Sequence, residues 1–345
     1  MGPTTRRSEA VAGRESTLLD IDWPDPLVPM SQIVEHAPWL AEGSGLVLAF
    51  APPRLIDVAT LVTSQENACR YCYGALRAAM RISGYSDVQI RDLEREVELA
   101  DGVTREVVRL ARKLARSDPR PVRAELTALE RQGLDPRAVA EIVFVVAATC
   151  FSNRVGTFLA LPPERAVERA AESWIGRLIG RLQMQVAGRK TRRAGPCDPV
   201  EARGALAPLL RQLPQSPITA WFAGLVDQTF ATGTLERRTK LLILAVVART
   251  MGCRFCEEAA GTELQGLGLR SEALQRVLAT LSGPEISPLE GRLLDWGRET
   301  VHYQTGSIQK RTRALASEVG VEALLEGVSA AAVSNTAVRI AMLLE

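Results

Sequence analysis

Histidine is almost absent from this sequence, with only two among 345 residues, and aromatic residues make up 5% of the chain. An excess of one charge is also lacking, because 42 Lys and Arg against 40 Asp and Glu leave a net charge of +2. This balance offers no electrostatic footprint for nucleic acid or for an anionic membrane surface. We therefore expect neither nucleic acid nor membrane as a partner.

Sequence signatures of cofactor binding and of export are missing as well. The chain has no Gly-x-Gly-x-x-Gly, no P-loop and no Gly-x-Ser-x-Gly elbow, so nothing predicts a nucleotide, a flavin or another bound cofactor. Arg6-Arg7 is followed by charged residues rather than by the apolar core of a signal peptide. We expect a cytoplasmic protein without cofactors.

Almost every segment after the first thirty residues has the period of an α-helix. From Val107 to Leu114, for example, apolar residues recur at steps of three and four, with arginine and lysine between them. Alternating runs typical of strands are scarce, so we predict an all-α protein. Residues 1–29, with three prolines near their end, are expected to form an irregular arm.

Two Cys-x-x-Cys elements stand about half a chain apart. They are Cys69-Arg70-Tyr71-Cys72 and Cys253-Arg254-Phe255-Cys256. Cysteines three residues apart on a helix share one face and lie close enough for a disulfide. At a helix N-terminus the macrodipole favours the reactive thiolate. Asn67-Ala68 and Gly252 are expected to end one helix and to start the next at the cysteines.

The similarity between the two halves extends beyond the cysteines and predicts a duplicated helical unit. The further matches are Trp39 with Trp221, Gly84 with Gly268, and Ser152-Asn153 with Ser334-Asn335. We predict one helical domain at 30–163 and a second at 213–345. Residues 164–212 carry an apolar stripe with arginines on another face and then a basic run, which predicts an amphipathic connector helix and a flexible linker.

In a reducing cytoplasm, paired cysteines are more often catalytic or metal-binding than structural. Structural zinc needs four ligands, and neither pair has a histidine close in sequence. A redox dithiol is thus the favoured interpretation, with a zinc site as the lesser alternative, and we expect no bound metal. Cys150, in an apolar run, is expected to be an inert core residue, and Cys197 an exposed linker residue.

The order of features in the first half is an apolar helix, a break, Cys-x-x-Cys, a second helix and a long helical region that closes with Ser-Asn-Arg at 152–154. This order resembles the AhpD-like alkylhydroperoxidase and carboxymuconolactone decarboxylase superfamily. Both halves resemble it, so the chain is similar to a tandem fusion of two AhpD-like domains. The resemblance implies an all-helical fold. It also implies a homo-oligomer, such as a trimer of tandem chains, because single-domain relatives assemble as trimers or hexamers.

The family's redox signature places an acid twelve positions before the first cysteine and a histidine four positions after the second. The second cysteine attacks the peroxide, the first resolves it as a disulfide, and the acid and the histidine relay the proton. The resemblance therefore implies that Cys72 is the attacking thiol, Cys69 the resolving thiol and Asp57 the acid. Cys256 and Cys253 match the two thiols in the second copy.

Both copies depart from this signature. Leu76 stands at the histidine position of the first copy, and Leu241 and Ala260 stand at the acid and histidine positions of the second. A positioned base typically contributes roughly 10² to 10⁴ in rate, so we expect weak activity. Tyr71 is either a partial substitute acting through its hydroxyl or a packed aromatic, as Phe255 is in the second copy.

We therefore expect a thiol-dependent oxidoreductase, a peroxidase of alkylhydroperoxidase type that acts on a hydroperoxide or a disulfide, with the first module the more active. The resemblance implies a small dithiol or a lipoyl-type protein as the electron donor. Two alternatives stay open. One is an enzyme of the decarboxylase branch, in which proton transfer is central. The other is a non-catalytic redox-sensing or structural relic that keeps its dithiols without turnover.

Overall fold

The computed structural model describes residues 24–41, 48, 50–95, 102–115, 122–162, 165–179 and 202–342. Every regular element in these ranges is a helix, with no strand among them, which confirms the predicted all-α fold. Residues 24–29 are non-helical, as expected for the arm. The rest of the arm, the basic run at 188–196 and Cys197 lie outside the described residues.

The helices follow one another in the same order in both repeats. In the first repeat they are α1 (Met30–His36), α2 (Pro38–Ala41), α3 (Pro53–Glu66), α4 (Arg70–Ser83), α5 (Asp87–Arg95), α6 (Gly102–Ala115), α7 (Arg123–Arg131) and α8 (Pro136–Phe158). After α9 (Arg165–Glu172) come α10 (Ala207–Gln212), α11 (Pro217–Phe230), α12 (Arg237–Met251), α13 (Arg254–Gly266), α14 (Ser271–Thr280), α15 (Pro288–Glu299), α16 (Thr305–Val319) and α17 (Val321–Ala341). Helices α3 to α8 thus correspond one by one to α12 to α17.

The two long helices, α8 and α17, pack against each other at the centre of the molecule. Helix α8 starts with Pro136 behind Asp135, whose carboxylate accepts the N–H of Arg137 and caps the helix. It is apolar around most of its circumference, as a helix enclosed by others should be. By length and composition α8 could also cross a membrane, but 78% of its most apolar stretch is buried inside the protein.

Glutamates on the two long helices make equivalent contacts. Glu141 on α8 accepts two consecutive backbone N–H groups just ahead of α3, at 2.9 and 2.7 Å. Glu326 on α17 accepts two just ahead of α12, at 2.9 and 3.1 Å. Each carboxylate therefore fixes the start of the helix that leads to a Cys-x-x-Cys turn, and negative charge is favourable at that end of a helix.

Two buried arginines also make equivalent contacts, each across to the other repeat. Arg154 on α8 donates from Nε to the carbonyl of Thr300, which ends α15, at 3.3 Å. Arg339 on α17 donates from Nε to the carbonyl of Leu114, at the end of α6, at 2.7 Å. Since α6 and α15 are themselves equivalent, the two repeats are related by an approximate two-fold axis that passes between the long helices.

These contacts correct one predicted match between the repeats. Glu141 and Glu326 are 185 positions apart, as are Arg154 and Arg339, whereas Ser152-Asn153 and Ser334-Asn335 are 182 apart. The contacts therefore shift the predicted alignment of α8 with α17 by three residues, close to one helical turn. A one-turn error is easy to make from sequence, because residues three or four apart present the same face of a helix.

The leading helices of each repeat pack on the long helix of the other repeat. Trp39 donates from Nε1 to Ser329 Oγ on α17 at 2.9 Å, and the Trp221 ring meets Phe144 on α8 edge-on at 6.4 Å. Ser329 and Phe144 are again 185 positions apart, which supports the predicted match of the two tryptophans. One continuous apolar cluster accordingly contains side chains of both repeats, so the two units share a core.

The predicted connector helix differs from expectation. Helix α9 ends at Glu172, a bend follows at Ser173, and helical backbone resumes over 174–179. Of its predicted apolar stripe, Ala171 is buried, but four large apolar side chains after the bend are 50 to 70% exposed. They are Trp174, Ile175, Leu178 and Ile179. The stripe therefore does not lie on a single continuous helix whose apolar face is buried along its length.

Candidate functional site

Both cysteine pairs lie at the N-terminus of a helix, as predicted. Cys69 caps α4 with φ −84° and ψ 97°, and Cys253 caps α13 with φ −84° and ψ 99°. In each pair the capping sulfur accepts the backbone N–H of the second cysteine, at 3.3 Å from Cys72 and 3.4 Å from Cys256. This geometry directs helix N–H groups at the first sulfur and favours its ionised form.

The residue before each capping cysteine has a left-handed backbone. In the second repeat this residue is Gly252, with φ +72°, and a glycine adopts that conformation without steric cost. In the first repeat it is Ala68, with φ +50°, and an alanine there costs about 1 to 2 kcal/mol. The turn that presents Cys69 is therefore strained, whereas its counterpart is not.

In the first pair, Cys69 and Cys72, which we call the first dithiol, the sulfur atoms are 2.7 Å apart and the thiols are not joined in a disulfide. Burial would raise the pKa of Cys69, but hydrogen bonds from the Cys72 thiol and amide, Thr157 and Asn153 outweigh it and lower the pKa. Burial and the neighbouring Cys69 sulfur raise the pKa of Cys72 well above its ordinary value. Of the two thiols, Cys69 is therefore the one that loses its proton more readily.

Polar side chains from α3 and α8 surround the first dithiol. The amide of Asn67 donates to Asn153 Oδ1 at 3.0 Å and lies 3.5 Å from Cys150 Sγ. The amide of Asn153 donates to Ser64 Oγ at 3.1 Å, and its side chain also lowers the pKa of both thiols. Cys150, predicted to be inert, is fully buried and lies within this network.

Thr157, one turn further along α8, adds a hydroxyl to the same network. Its Oγ1 is fully buried and makes no well-formed hydrogen bond, although it faces Cys69 closely enough to stabilise the thiolate. Thr157 thus places a hydroxyl beside the Cys69 sulfur and near Tyr303.

Gly156 lets the backbone of α8 approach the first dithiol closely. A Cβ at this position would lie 3.1 Å from Cys69 Sγ, 3.6 Å from Cys72 Sγ and 3.6 Å from Cδ1 of Tyr71. Tyr71 is half-buried, and its ring packs against the shared core. The structure therefore brings Tyr71 to the edge of the site, beside the thiols.

The second repeat contributes Tyr303 to this site. Its hydroxyl donates to the carbonyl of Asn67 at 2.7 Å, and its ring meets Phe158 edge-on at 5.3 Å. Burial raises the pKa of Tyr303, with the nearby Arg154 acting in the opposite direction. A residue more than two hundred positions away therefore lies against the turn that carries Cys69.

Asp57, predicted as the acid, makes its hydrogen bond near the end of α4 that lies away from the thiols. Its carboxylate accepts a hydrogen bond from Tyr85, which follows the C-terminal end of α4, and burial raises the pKa of Asp57 to about 6. Cys72 lies in the first turn of α4, and Ser83 is its last residue, so about 16 Å of helix separates the two ends. Leu76, at the family's histidine position, packs in a small apolar cluster with Tyr73 and Met80 nearby.

Around the second pair, Cys253 and Cys256, which we call the second dithiol, the equivalent positions are apolar. Positions near the cysteines are offset by 184 and those on the long helices by 185. Both cysteines are 0% exposed, whereas Cys72 is 8% exposed. The replacements of polar by apolar residues are Ser64 by Ala248, Asn67 by Met251, Asn153 by Val338 and Thr157 by Met342.

Five residues of the first site were not identified from the sequence: Ser64, Asn67 as a contact, Gly156, Thr157 and Tyr303. Asn153 stood within the Ser-Asn-Arg run, and Gly156 and Thr157 follow it on the same helix, so that run was the available signal. Tyr303 had none, because its position depends on how the repeats pack. Among the described residues, no group of three or more His, Cys, Asp or Glu side chains is arranged to hold a metal ion.

Comparisons with protein-family models, with curated proteins and with solved structures find no match for this chain.

Proposed function

We propose that the protein is a thiol-dependent oxidoreductase that reduces small hydroperoxides at the first dithiol. The observation that carries this proposal is the pair of sulfurs 2.7 Å apart at the start of α4, with the lower pKa on Cys69. A thiolate at a helix N-terminus next to a second thiol is the arrangement that dithiol–disulfide chemistry needs. The resemblance to AhpD-like enzymes agrees with it.

The contact between the two sulfurs offers a way for the site to work without the family's histidine. Cys72 is the more exposed sulfur, and once Cys69 is ionised it can accept the Cys72 proton as the peroxide approaches, an uphill transfer that the reaction with peroxide then draws forward. Cys72 then attacks one peroxide oxygen, the O–O bond breaks, and the proton goes to the departing alkoxide, leaving a sulfenic acid on Cys72 and an alcohol. The Cys69 thiolate next attacks the sulfenic sulfur and expels hydroxide, which takes up a proton and leaves as water, so a disulfide remains.

A dithiol reductant must then return two electrons and two protons to the disulfide. Thiol–disulfide exchange proceeds by attack of a reductant thiolate on one sulfur, through a mixed disulfide. Because Cys69 is fully buried and Cys72 nearly so, we propose that Cys72 is the sulfur attacked. The same burial favours a small hydroperoxide over a protein disulfide as the oxidising substrate, because a folded partner could not bring its sulfurs close to Cys72.

The environment of the second dithiol favours a structural role for it. Its sulfurs are completely buried, and the polar groups that surround the first pair are replaced by Ala248, Met251, Val338 and Met342. Reactive cysteines lie in partly exposed, electropositive surroundings, whereas structural cysteines are buried. The relic alternative thus applies to the second repeat. In the part of the chain that the structure describes, no specific contact favours the decarboxylase alternative.

The test is consumption of a small hydroperoxide with dihydrolipoamide as reductant. We expect wild type and Cys256→Ser to turn over and Cys72→Ser to be inactive. Cys256→Ser is the matched control, since it makes the same change at the equivalent position. If wild type consumes peroxide no faster than Cys72→Ser, the peroxidase proposal is wrong.

A further inference from the structure

The turn before Cys69 combines strain with a contact from the other repeat. Ala68 has φ +50°, a conformation that alanine adopts at a cost. The peptide unit that joins it to Asn67 carries the carbonyl that accepts the Tyr303 hydrogen bond at 2.7 Å. Strained backbone persists only where its surroundings hold it.

Tyr303 is itself firmly held. Arg154 on α8 donates to the carbonyl of Thr300, three residues earlier in the same loop, and its guanidinium lies 5.7 Å from the Tyr303 ring centre. Phe158 packs edge-on against the ring at 5.3 Å. Gln309, on the following helix, donates to the carbonyl of Thr157 at 3.0 Å. The loop between α15 and α16 is thereby fastened to the end of α8.

We propose that Tyr303 is a positioning residue for the first dithiol: by holding the Asn67–Ala68 peptide unit, the second repeat fixes the strained turn that presents the Cys69 sulfur to the helix N-terminus. This inference rests on the proposed function for its catalytic consequence. It gives the second repeat a part in the reaction although the second repeat's own dithiol is buried among apolar side chains.

The hydrogen bond from Tyr303 to Asn67, which we call the clamp, acts on a turn that differs between the repeats. Gly252, at the position equivalent to Ala68, adopts φ +72° without steric cost, so the second turn has no strain for a clamp to hold. Met251 precedes it in place of Asn67. Strain and clamp therefore occur together in the first repeat, where the polar network meets the sulfurs.

Several ionisable groups surround Tyr303 and influence the titration of Cys69 and of Tyr303 itself. Cys69, Cys150 and Arg154 interact electrostatically with Tyr303, and Cys72 interacts with Cys69. Arg339, from the opposite long helix, interacts with Arg154, Cys150 and Tyr303. None of the other groups is altered by Tyr303→Phe, which removes the hydroxyl and keeps the ring.

The experiment measures the ionisation of Cys69 and the rate of peroxide consumption separately. Thiolate ultraviolet absorbance is titrated against pH in reduced wild type, Tyr303→Phe, Ala68→Gly and the double variant, each referenced to the same background carrying Cys69→Ser. Ser307→Ala, which removes an exposed hydrogen bond to Glu299 near the same loop, serves as the control. Near-ultraviolet circular dichroism checks that each variant is folded.

We expect Tyr303→Phe to move the Cys69 midpoint to higher pH and to slow peroxide consumption about fivefold at neutral pH, the effect of losing one ordinary hydrogen bond. In the Ala68→Gly background the turn is not strained, so Tyr303→Phe should have little effect on the Cys69 midpoint or on the rate. Ser307→Ala should match wild type.

Two results would overturn the clamp: an unchanged midpoint in folded Tyr303→Phe, or an equal shift with and without Ala68→Gly. If Tyr303→Phe does not fold, the double variant decides, since the clamp predicts that it folds and titrates like Ala68→Gly. Absence of peroxide turnover in wild type would reject the proposed function and leave the titration result standing.

Discussion

Arg154 and Arg339 lie 185 positions apart, and each donates hydrogen bonds to the carbonyl end of a helix in the opposite repeat. Both guanidinium groups are almost completely buried. Helix C-termini carry partial negative charge and unpaired carbonyls, so they offer a partner to a buried cation where no carboxylate is used. The two arginines therefore join the repeats, and their positive charges offset the partial negative charges of the helix C-termini at the centre of the molecule.

We predict that Arg339→Lys lowers the free energy of unfolding by about 2 kcal/mol. Arginine reaches the carbonyls of Leu114 and Asn335 at once, from Nε at 2.7 Å and Nη1 at 2.8 Å, and a single ammonium group cannot. Urea denaturation measures the loss. Arg137→Lys, at a side chain that is 66% exposed, is the control and should change stability by less than about 0.5 kcal/mol. Equal effects in the two variants would mean that the buried contacts contribute nothing.

The turns before the two dithiols give a pair of opposite predictions. Gly252→Ala should destabilise the protein by about 1 kcal/mol, because alanine is strained at φ +72°. Ala68→Gly should leave stability unchanged or raise it by up to about 1 kcal/mol, since relief of strain offsets the greater freedom of glycine in the unfolded chain. Urea midpoints of the reduced proteins test both. A loss of stability in Ala68→Gly would show that alanine is not strained there.

Asp57 should make stability depend on pH in an unusual direction. Burial raises its pKa from 3.8 to about 6, so between these values the folded protein binds more protons than the unfolded chain. The contribution of protonated Asp57 to stability is thus complete below pH 3.8 and is lost as the pH rises through about 6. Asp57→Asn should therefore increase stability at neutral pH, by at most about 3 kcal/mol, and give no increase in acid. Thermal unfolding at several pH values checks this.

The same variant also tests the catalytic role that the family resemblance assigns to Asp57. If the carboxylate relays protons to the first dithiol, Asp57→Asn should slow peroxide consumption by the roughly 10² to 10⁴ typical of a general base. From its position near the far end of α4, we expect the rate to change little. A large loss in a stabilised protein would favour the relay.

Features set by local sequence were predictable. The period of apolar residues predicted the helices, and Asn67-Ala68 and Gly252 placed the helix breaks ahead of Cys69 and Cys253. Capping and left-handed turns depend on a few neighbouring residues, so they can be identified without knowing the tertiary structure.

Features set by packing between distant segments were not predictable. The twelve-residue spacing of Asp57 from Cys69 fixes their separation along the chain, but only the packing of α3 on α4 determines that Asp57 meets Tyr85. Tyr303 reaches Asn67 because the two-fold arrangement of the repeats brings the α15–α16 loop to α8. Neither relation has a signature in a single sequence.

Gly156 tests whether the close packing of α8 on the first dithiol matters for the reaction. Since a Cβ there would lie 3.1 Å from Cys69 Sγ, Gly156→Val should press on both sulfurs, displace them and reduce peroxide consumption at least about tenfold, while the helix persists. Gly224→Ala is the control, because Gly224 lies on α11 with no neighbour within 4 Å of its Cβ, and alanine stabilises a helix relative to glycine. Peroxide kinetics and helical circular dichroism of both variants separate displaced sulfurs from lost structure. Full activity in a folded Gly156→Val protein would mean that the reaction does not need the sulfurs in this close packing with α8.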